Sequence, residues 1–338
     1  MLLPDWTHAY GGAQSQGIIR QTPDDFIVNE IQSFELSGSG EHAFLLIEKC
    51  SENTDYVARL LARFAGVRQR DVSYAGLKDR HARTTQWFSV WLPGKPDPDW
   101  QGLNSETIKV LQATRHSKKL KRGSLAGNQF ILRIRDWAGD KTILEQQLQT
   151  IREQGVPNYF GEQRFGREGG NIAKALALFA GEKVSRNQRS LYLSAARSYL
   201  FNHILSARVA SDTWNQALPG DVLMFDNSHS FFKAETLDKS ILQRVEQLDM
   251  HPTATLWGKG EVQVSAEVAV IEQQVIGLYD DLAQGLIAFG MEQDRRALRS
   301  HIQELQWQFL DSTSLELSFT LNAGCYATAL LREVVQTL

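Results

Sequence analysis

"NQFILRIRDW", residues 128–137, alternates cleanly: Phe130, Leu132 and Ile134 fall on one side of an extended chain, Arg133 and Arg135 on the other. Side chains of a strand repeat every second residue, so this pattern specifies a strand with one apolar face. Outward from it, "DDFIVNEI" (24–31) and "HAFLLIEKC" (42–50) are rich in β-branched and aromatic residues and read as strands. "TTQWFSVW" (84–91) alternates imperfectly, yet its aromatic density favours a strand as well. "SENTDYVARLLARFAG" (51–66) reads as a helix, with Asn53 or Thr54 as N-cap, Asp55 in the first turn and Gly66 as its stop. Residues 141–154 form a polar helix that Gly155 and Pro157 close.

The character then changes. "NIAKALALFAG" (171–181) and "LYLSAARSYLFNHILSARVA" (191–210) are strong helices, and "AEVAVIEQQVIGLYDDLAQGL" (266–286) reads as one helical stretch. Residues 211–265, Gly- and polar-rich, yield no clear element. Strand signal returns in "LQWQFL" (305–310) and "SLELSFTL" (314–321), before a helix in "CYATALLREVV" whose Ala327, Leu330, Leu331 and Val334 share a face. An α+β part, a mostly helical part and a closing β-β-α part suggest one domain split by an insertion.

At 338 residues the chain is long enough for two domains with ample core. Hydrophobic residues at 42% and charged residues at 22% are ordinary for a soluble globular protein. The two cysteines, Cys50 and Cys325, show no metal-ligand spacing, which points to a reducing cytoplasm. No apolar run approaches the roughly 18 residues that cross a bilayer. The opening "MLLPDWTHAY" lacks the basic and apolar regions of a signal peptide. HExxH, CxxC, Walker A and GxSxG patterns are missing, so nothing supports a metal hydrolase, ATP use or a serine hydrolase.

The net charge of −3 hides local clusters of cations. "RHSKKLKRG" carries Arg115, Lys118, Lys119, Lys121 and Arg122; Arg63, Arg68 and Arg70 lie upstream; "GEQRFGREGG" adds Arg164 and Arg167. Such runs are often a solvated face, but Trp87, Phe130, Tyr159, Phe160 and Phe165 are interleaved with them. Cations for phosphates beside flat rings for unstacked bases suit RNA. The loop "GEQRFGREGGN" (161–171) fits either a phosphate cradle or a plain turn between domains. In "YAGLKDRHARTTQWFSV" (74–90) one acid, Asp79, stands among Lys78, Arg80, His81 and Arg83. Cations favour the ionised form of a carboxylate, which can then serve as nucleophile or base; a structural turn residue is the other reading. Asp24 and Asp25 with Glu30 could imitate paired glycosidase carboxylates, but "TPDDF" has the composition of a turn.

"SYAGLKDRHARTTQW" (73–87) resembles the catalytic motif of the tRNA pseudouridine synthase D (TruD) family. The likeness continues through "GNQFILRIR", "GVPNYFGEQRFGREGGN", "LSAARSYLFN" and "NAGCYATALLRE", in family order from residue 17 to 337. It implies an α+β pseudouridine synthase core: a mixed, mainly antiparallel sheet with flanking helices, built from 1–153 and 304–338. A large α/β TRUD domain would be inserted at 154–303. The implied activity converts uridine 13 in the D-arm of certain tRNAs to pseudouridine, an isomerisation that needs no cofactor and no metal.

By position, the resemblance makes Asp79 the nucleophile, Arg20 in "GIIRQTPDDF" its basic partner and Phe26 a substrate contact. Asn128 and Phe130 would contact the target nucleotide, Asn128 reading the base edge and Phe130 offering an aromatic face, and Tyr326 would contact it too. Lys78, Arg80 and Arg83 are expected to face phosphates. Lys118, Lys119, Lys121, Arg122, Arg164 and Arg167 are expected to bind the RNA. Familiar bacterial members have Lys where Arg20 stands and Phe where Tyr326 stands. A fork thus replaces a point charge, and a hydroxyl needs a partner if buried. A cytoplasmic monomer with tRNA as its partner and no membrane is expected. The competing classes are a non-catalytic tRNA-binding chaperone and a glycosidase-like hydrolase that releases the base.

Overall fold

The structure, a computed structural model, describes residues 3–234 and 236–338. The chain divides into two compact units. One holds Ser15–Asp140, Gln303–Gly324 and Gln336–Leu338; the other holds the segment ending at Gln14, Lys141–Ile302 and Cys325–Val335.

The first unit is built on a sheet of ten strands. Its elements are β1 (Ser15–Ile19), β2 (Phe26–Ile31), β3 (His42–Cys50), α1 (Thr54–Phe64), β4 (Val72–Tyr74), β5 (Arg83–Trp91), β6 (Ile108–His116) and β7 (Gly127–Gly139). The later strands Gln303–Phe309 and Leu315–Asn322 complete the main path, with Gln336–Thr337 beside β1. β7 is the hub: it pairs antiparallel with Leu315–Asn322 on one side and with β2 and β1 on the other. β2 pairs with β5 in parallel, and β3 and β6 extend the sheet antiparallel.

Directly opposed residues point to one face. The face carrying Ala43, Leu45, Ile47, Phe88 and Val90 is covered by α1 through Val57, Ala58, Leu61 and Ala62, the expected three-to-four spacing of an amphipathic helix. The opposite face is closed by Phe34, Leu36, Leu120 and Leu125 over Phe44 and Trp87. Gly127 lets β7 approach its neighbour: a Cβ there would lie 2.3 Å from the carbonyl oxygen of Leu321.

The second unit packs helices against a four-stranded antiparallel sheet. The helices are α2 (Lys141–Gln154), α3 (Gly170–Phe179), α4 (Arg186–Ala210), α5 (Lys239–Glu246), α6 (Ala266–Gly277), α7 (Asp280–Ala288) and α8 (Ala327–Val334). The strands run in the order Phe231–Lys233, Val222–Phe225, Met250–Leu256, Asp294–Ala297. Leu200, Phe201, Ile204 and Leu205 of α4 sit at the centre of its core, with Ile172 of α3, Val275 of α6 and Leu286 of α7. The single helix expected over 266–286 is two helices, because the chain turns at Leu278–Tyr279 and restarts on the acidic first turn of Asp280 and Asp281.

The chain divides elsewhere than the expected 1–153, 154–303 and 304–338. The segment ending at Gln14, α2 and α8 belong to the second unit because buried polar bonds tie them together. Fully buried Glu333 accepts from the backbone N–H groups of Ala9 (3.3 Å) and Tyr10 (3.1 Å), and Tyr10 donates to the carbonyl of Gly155 at 2.6 Å. Gln147 of α2 donates to the carbonyl of Gly12 at 3.0 Å.

Candidate active site

The parallel pairing of β2 with β5 sets Ile27 beside Arg83 and Val28 beside Thr84, so the two strands begin at the same end of the sheet. The loop entering β2 carries Arg20 and the loop entering β5 carries Asp79. The topology thereby unites two residues 59 apart in sequence: Arg20 Nη2 lies 3.2 Å from Asp79 Oδ2. The Arg20 guanidinium also lies over the Phe26 ring, its Cζ 3.9 Å from the centroid. Arg20 holds φ at 58°, a left-handed conformation that costs a non-glycine residue on the order of 1 kcal/mol or more. Arg20 thus pairs and stacks at once, which a lysine's point charge could not do. Among the described residues, Asp79 Oδ1 has no partner, and the side chain is 44% exposed.

Buried polar groups fix the Asp79 loop from beneath. Thr54, the first residue of α1, accepts the Lys78 N–H at 3.0 Å and donates to Gln86 Oε1 at 2.9 Å. Gln86 in turn donates Nε2 to the carbonyl of Gly76 at 3.1 Å. Lys49, fully buried on β3, donates Nζ to the carbonyl of Asp79 at 2.8 Å. Burial pulls the Lys49 ammonium down to about 8 against the opposing pull of Asp79. Lys49 and Thr84 are cross-strand partners, as are Ile47 and Gln86, so these polar groups line one sheet face together with Glu30 and Asn128. The sequence reading missed Lys49, Thr54 and Gln86. Their signal was a polar residue at an inward position of an apolar strand, or a threonine at a helix start.

Lys78 does not face phosphate as expected. Its side chain is 7% exposed and turns inward, 3.2 Å from Glu30 Oε2, with its ammonium also on Asn128 Oδ1. Burial raises the Glu30 carboxyl and lowers the Lys78 ammonium, each opposed by the other partner. An ammonium can only donate, so the Asn128 oxygen must face Lys78, which orients that amide. Arg83 is likewise engaged: its Nη1 is 3.0 Å from Glu48, and its Nε holds Asp24, whose carboxyl it draws down. Asp24 and Asp25 lie in a turn, where Asp25 accepts from Thr22 and from Arg135. Arg80 is exposed; among the described residues it makes a long Nε bond of 3.4 Å to the carbonyl of Ser51.

Phe26 and Phe130 meet edge to face at 6.3 Å, and Phe130 stacks on Phe319 at 5.4 Å. Phe130 is therefore 8% exposed rather than the open face expected. Lys118, Lys119, Lys121 and Arg122 are exposed around Leu120, which is buried against Phe44 and Trp87. The same segment abuts the Asp79 loop: Gly123 N–H bonds the carbonyl of Ala75 at 2.8 Å, and Arg122 lies 4.0 Å over the Tyr74 ring.

Tyr326, Arg164 and Arg167 belong to the second unit. The Tyr326 hydroxyl finds its partner in Arg164, whose Nη2 donates at 2.6 Å while Nη1 donates to Ser194 at 3.1 Å. Arg296 lies 4.1 Å over Phe160, whose ring packs against Tyr326. Arg167 is 95% exposed. The "GEQRFGREGGN" loop is a structured turn leading into α3: Gly166 takes φ 74°, and a Cβ there would meet the Asn171 amide at 2.9 Å. Among the described residues no three His, Cys, Asp or Glu side chains converge as metal ligands.

From the fold upward, the first unit is an α+β core that presents a guanidinium-paired carboxylate on a pinned loop, the arrangement of a candidate active site. The family is specific: the model for tRNA pseudouridine synthase D (TruD) matches residues 7–176 and 168–334, and the chain belongs to that family. A tRNA pseudouridine synthase D from Methylococcus capsulatus is 51% identical over 334 residues, covering 98% of this chain and 94% of the relative. One from Nitrosococcus oceani is 48% identical, covering 97% and 94%. The crystal structure of a candidate tRNA pseudouridine synthase D from Methanosarcina mazei, 23% identical, matches with a TM-score of 0.73 over 98% of this chain and 95% of that one, which shows the shared fold.

Proposed function

We propose that this enzyme isomerises uridine to pseudouridine in tRNA, at position 13 of the D-arm, with Asp79 as the nucleophile and Arg20 as its partner. The observation that carries the reading is the Arg20–Asp79 pair, 3.2 Å long, held on a strained backbone and a pinned loop inside a family of such enzymes. Arg20 anchors Oδ2 and keeps the carboxylate oriented; Oδ1 is the reacting oxygen. It attacks C1′, or takes the C2′ proton, and the N1–C1′ bond breaks with its electron pair on uracil. The uracil rotates and C5 joins C1′ as the Asp79–C1′ bond breaks and frees the carboxylate, or, in the second route, as the proton returns to C2′; C5 then gives up its proton and N1 regains one. Atoms and charge balance without an oxidant, metal or nucleotide.

The base must leave its stack to reach the loop. Phe26 and Phe130, buried against each other, form apolar backing for the site rather than an open face, and Asn128, oriented by Lys78, offers its amide N–H to a base carbonyl. Arg80, Lys118, Lys119, Lys121 and Arg122 are assigned to phosphates, as are Arg164 and Arg167 on the second unit. Tyr326 is assigned to a nucleotide contact. We assign catalysis to the first unit and the enzyme to the cytoplasm as a monomer. Incubation with unmodified tRNA tests the reading: pseudouridine without free uracil supports it, free uracil would mark a hydrolase, and binding without either product a chaperone.

A further inference from the structure

We propose that Lys49 is a positioning residue of this reaction: its buried ammonium, bonded to the carbonyl oxygen of Asp79 at 2.8 Å, fixes the backbone from which the carboxylate projects. The inference rests on Asp79 being the nucleophile. Along β3 the inward positions Ala43, Leu45 and Ile47 are apolar and buried, and Lys49 continues the same face as a cation with no exposed surface. A methionine would fill that slot without the desolvation cost of a charge. Buried cations normally pair with carboxylates; among the described residues Lys49 instead makes its hydrogen bond to one backbone carbonyl, that of Asp79. A charge-assisted bond at that atom restrains the loop more tightly than a neutral one.

The groups around Lys49 are mixed. Asp79, Glu52 and Cys50 favour its charge and Lys78 opposes it, while its strand neighbours Thr84 on β5 and Ile108 on β6 are neutral. Burial outweighs the sum, so the ammonium is charged below about 8 and loses its proton above. The Asp79 loop is therefore held by a cation at neutral pH and by a weaker neutral amine in alkali.

The test is single-turnover pseudouridine formation on saturating unmodified tRNA, across neutral and alkaline pH, for wild type, Lys49→Met, Lys49→Arg and Asp79→Asn. The wild-type rate should fall as pH rises through about 8. Lys49→Met should be slower by roughly a hundredfold, the size of a misplacement on the order of 1 Å, and should lack that alkaline fall. Its tRNA affinity should be unchanged and its thermal stability no lower than wild type, a combination that a merely structural lysine would not give. Lys49→Arg should recover part of the rate, also without the fall. A wild-type rate in Lys49→Met, the same alkaline fall in either variant, or no fall in the wild type overturns the proposal, and the last holds even if a variant does not fold. Turnover by Asp79→Asn would instead overturn the nucleophile assignment, a separate result.

Discussion

Replacing Glu30 with leucine would leave the Lys78 ammonium, 7% exposed, without its counter-ion. At 3.2 Å the attraction between the two is about 5 kcal/mol for an effective dielectric of about 20. Burial nevertheless raises Glu30 and lowers Lys78, so desolvation outweighs that attraction for each group. Orphaning one buried charge should then destabilise the strand by about 3–5 kcal/mol, and adding Lys78→Met should recover most of the loss. Two compact units need not unfold in one step, so the measurement is amide hydrogen exchange over Phe26–Ile31. A loss of about 3 kcal/mol accelerates exchange through opening roughly a hundredfold. Unchanged exchange in Glu30→Leu, or a double variant as labile as the single one, would refute the reasoning.

Arg20→Lys keeps a charge beside Asp79 but loses the fork and the guanidinium's contact with Phe26. Single-turnover rates should fall roughly tenfold in Arg20→Lys and on the order of a hundredfold in Arg20→Ala. Burial disfavours an ionised Asp25, yet Arg135 and Thr22 outweigh it and hold the carboxyl below its ordinary value. Its stabilisation is therefore complete above the unfolded value, about 3.9, and is lost as pH falls through the lower folded one; Asp25→Asn should flatten acid unfolding in that window. Neutralising Lys118, Lys119, Lys121 and Arg122 together should reduce the slope of log tRNA affinity against log salt, by about 0.7–0.9 for each phosphate these cations neutralise. An unchanged slope would put the patch outside the interface.

The strands legible in the sequence were those with a clear period or dense aromatic content, such as the hub strand around Phe130 and Leu132. β6 was missed because a bulge at Leu111 breaks its alternation and leaves that apolar residue exposed, and β1 because five residues with a central glycine carry little pattern. The parallel pairing of β2 with β5 is a long-range fact with no local signature, though it is what unites Arg20 and Asp79. The turn at 278 did have a signal, Gly277 followed by Asp280 and Asp281.

Charge alone misjudged Lys78 and Arg83. Their counter-ions, Glu30, Glu48 and Asp24, lie on other segments, and only folding reveals which cations are already neutralised. The candidate pair Arg20 and Asp79 came from family resemblance, not from spacing. Lys49 and Gln86 were hidden in plain alternation, as polar residues at positions that packing would have made apolar.

The most direct measurement compares wild type and Asp79→Asn on unmodified tRNA, scoring pseudouridine and free uracil while recording tRNA binding in parallel. Asp79 contributes one ion pair at the surface, so the variant should fold and bind as wild type does. Wild type should form pseudouridine at position 13 and release no uracil, and Asp79→Asn should form none. Pseudouridine made at the normal rate by Asp79→Asn would contradict the role given to this carboxylate.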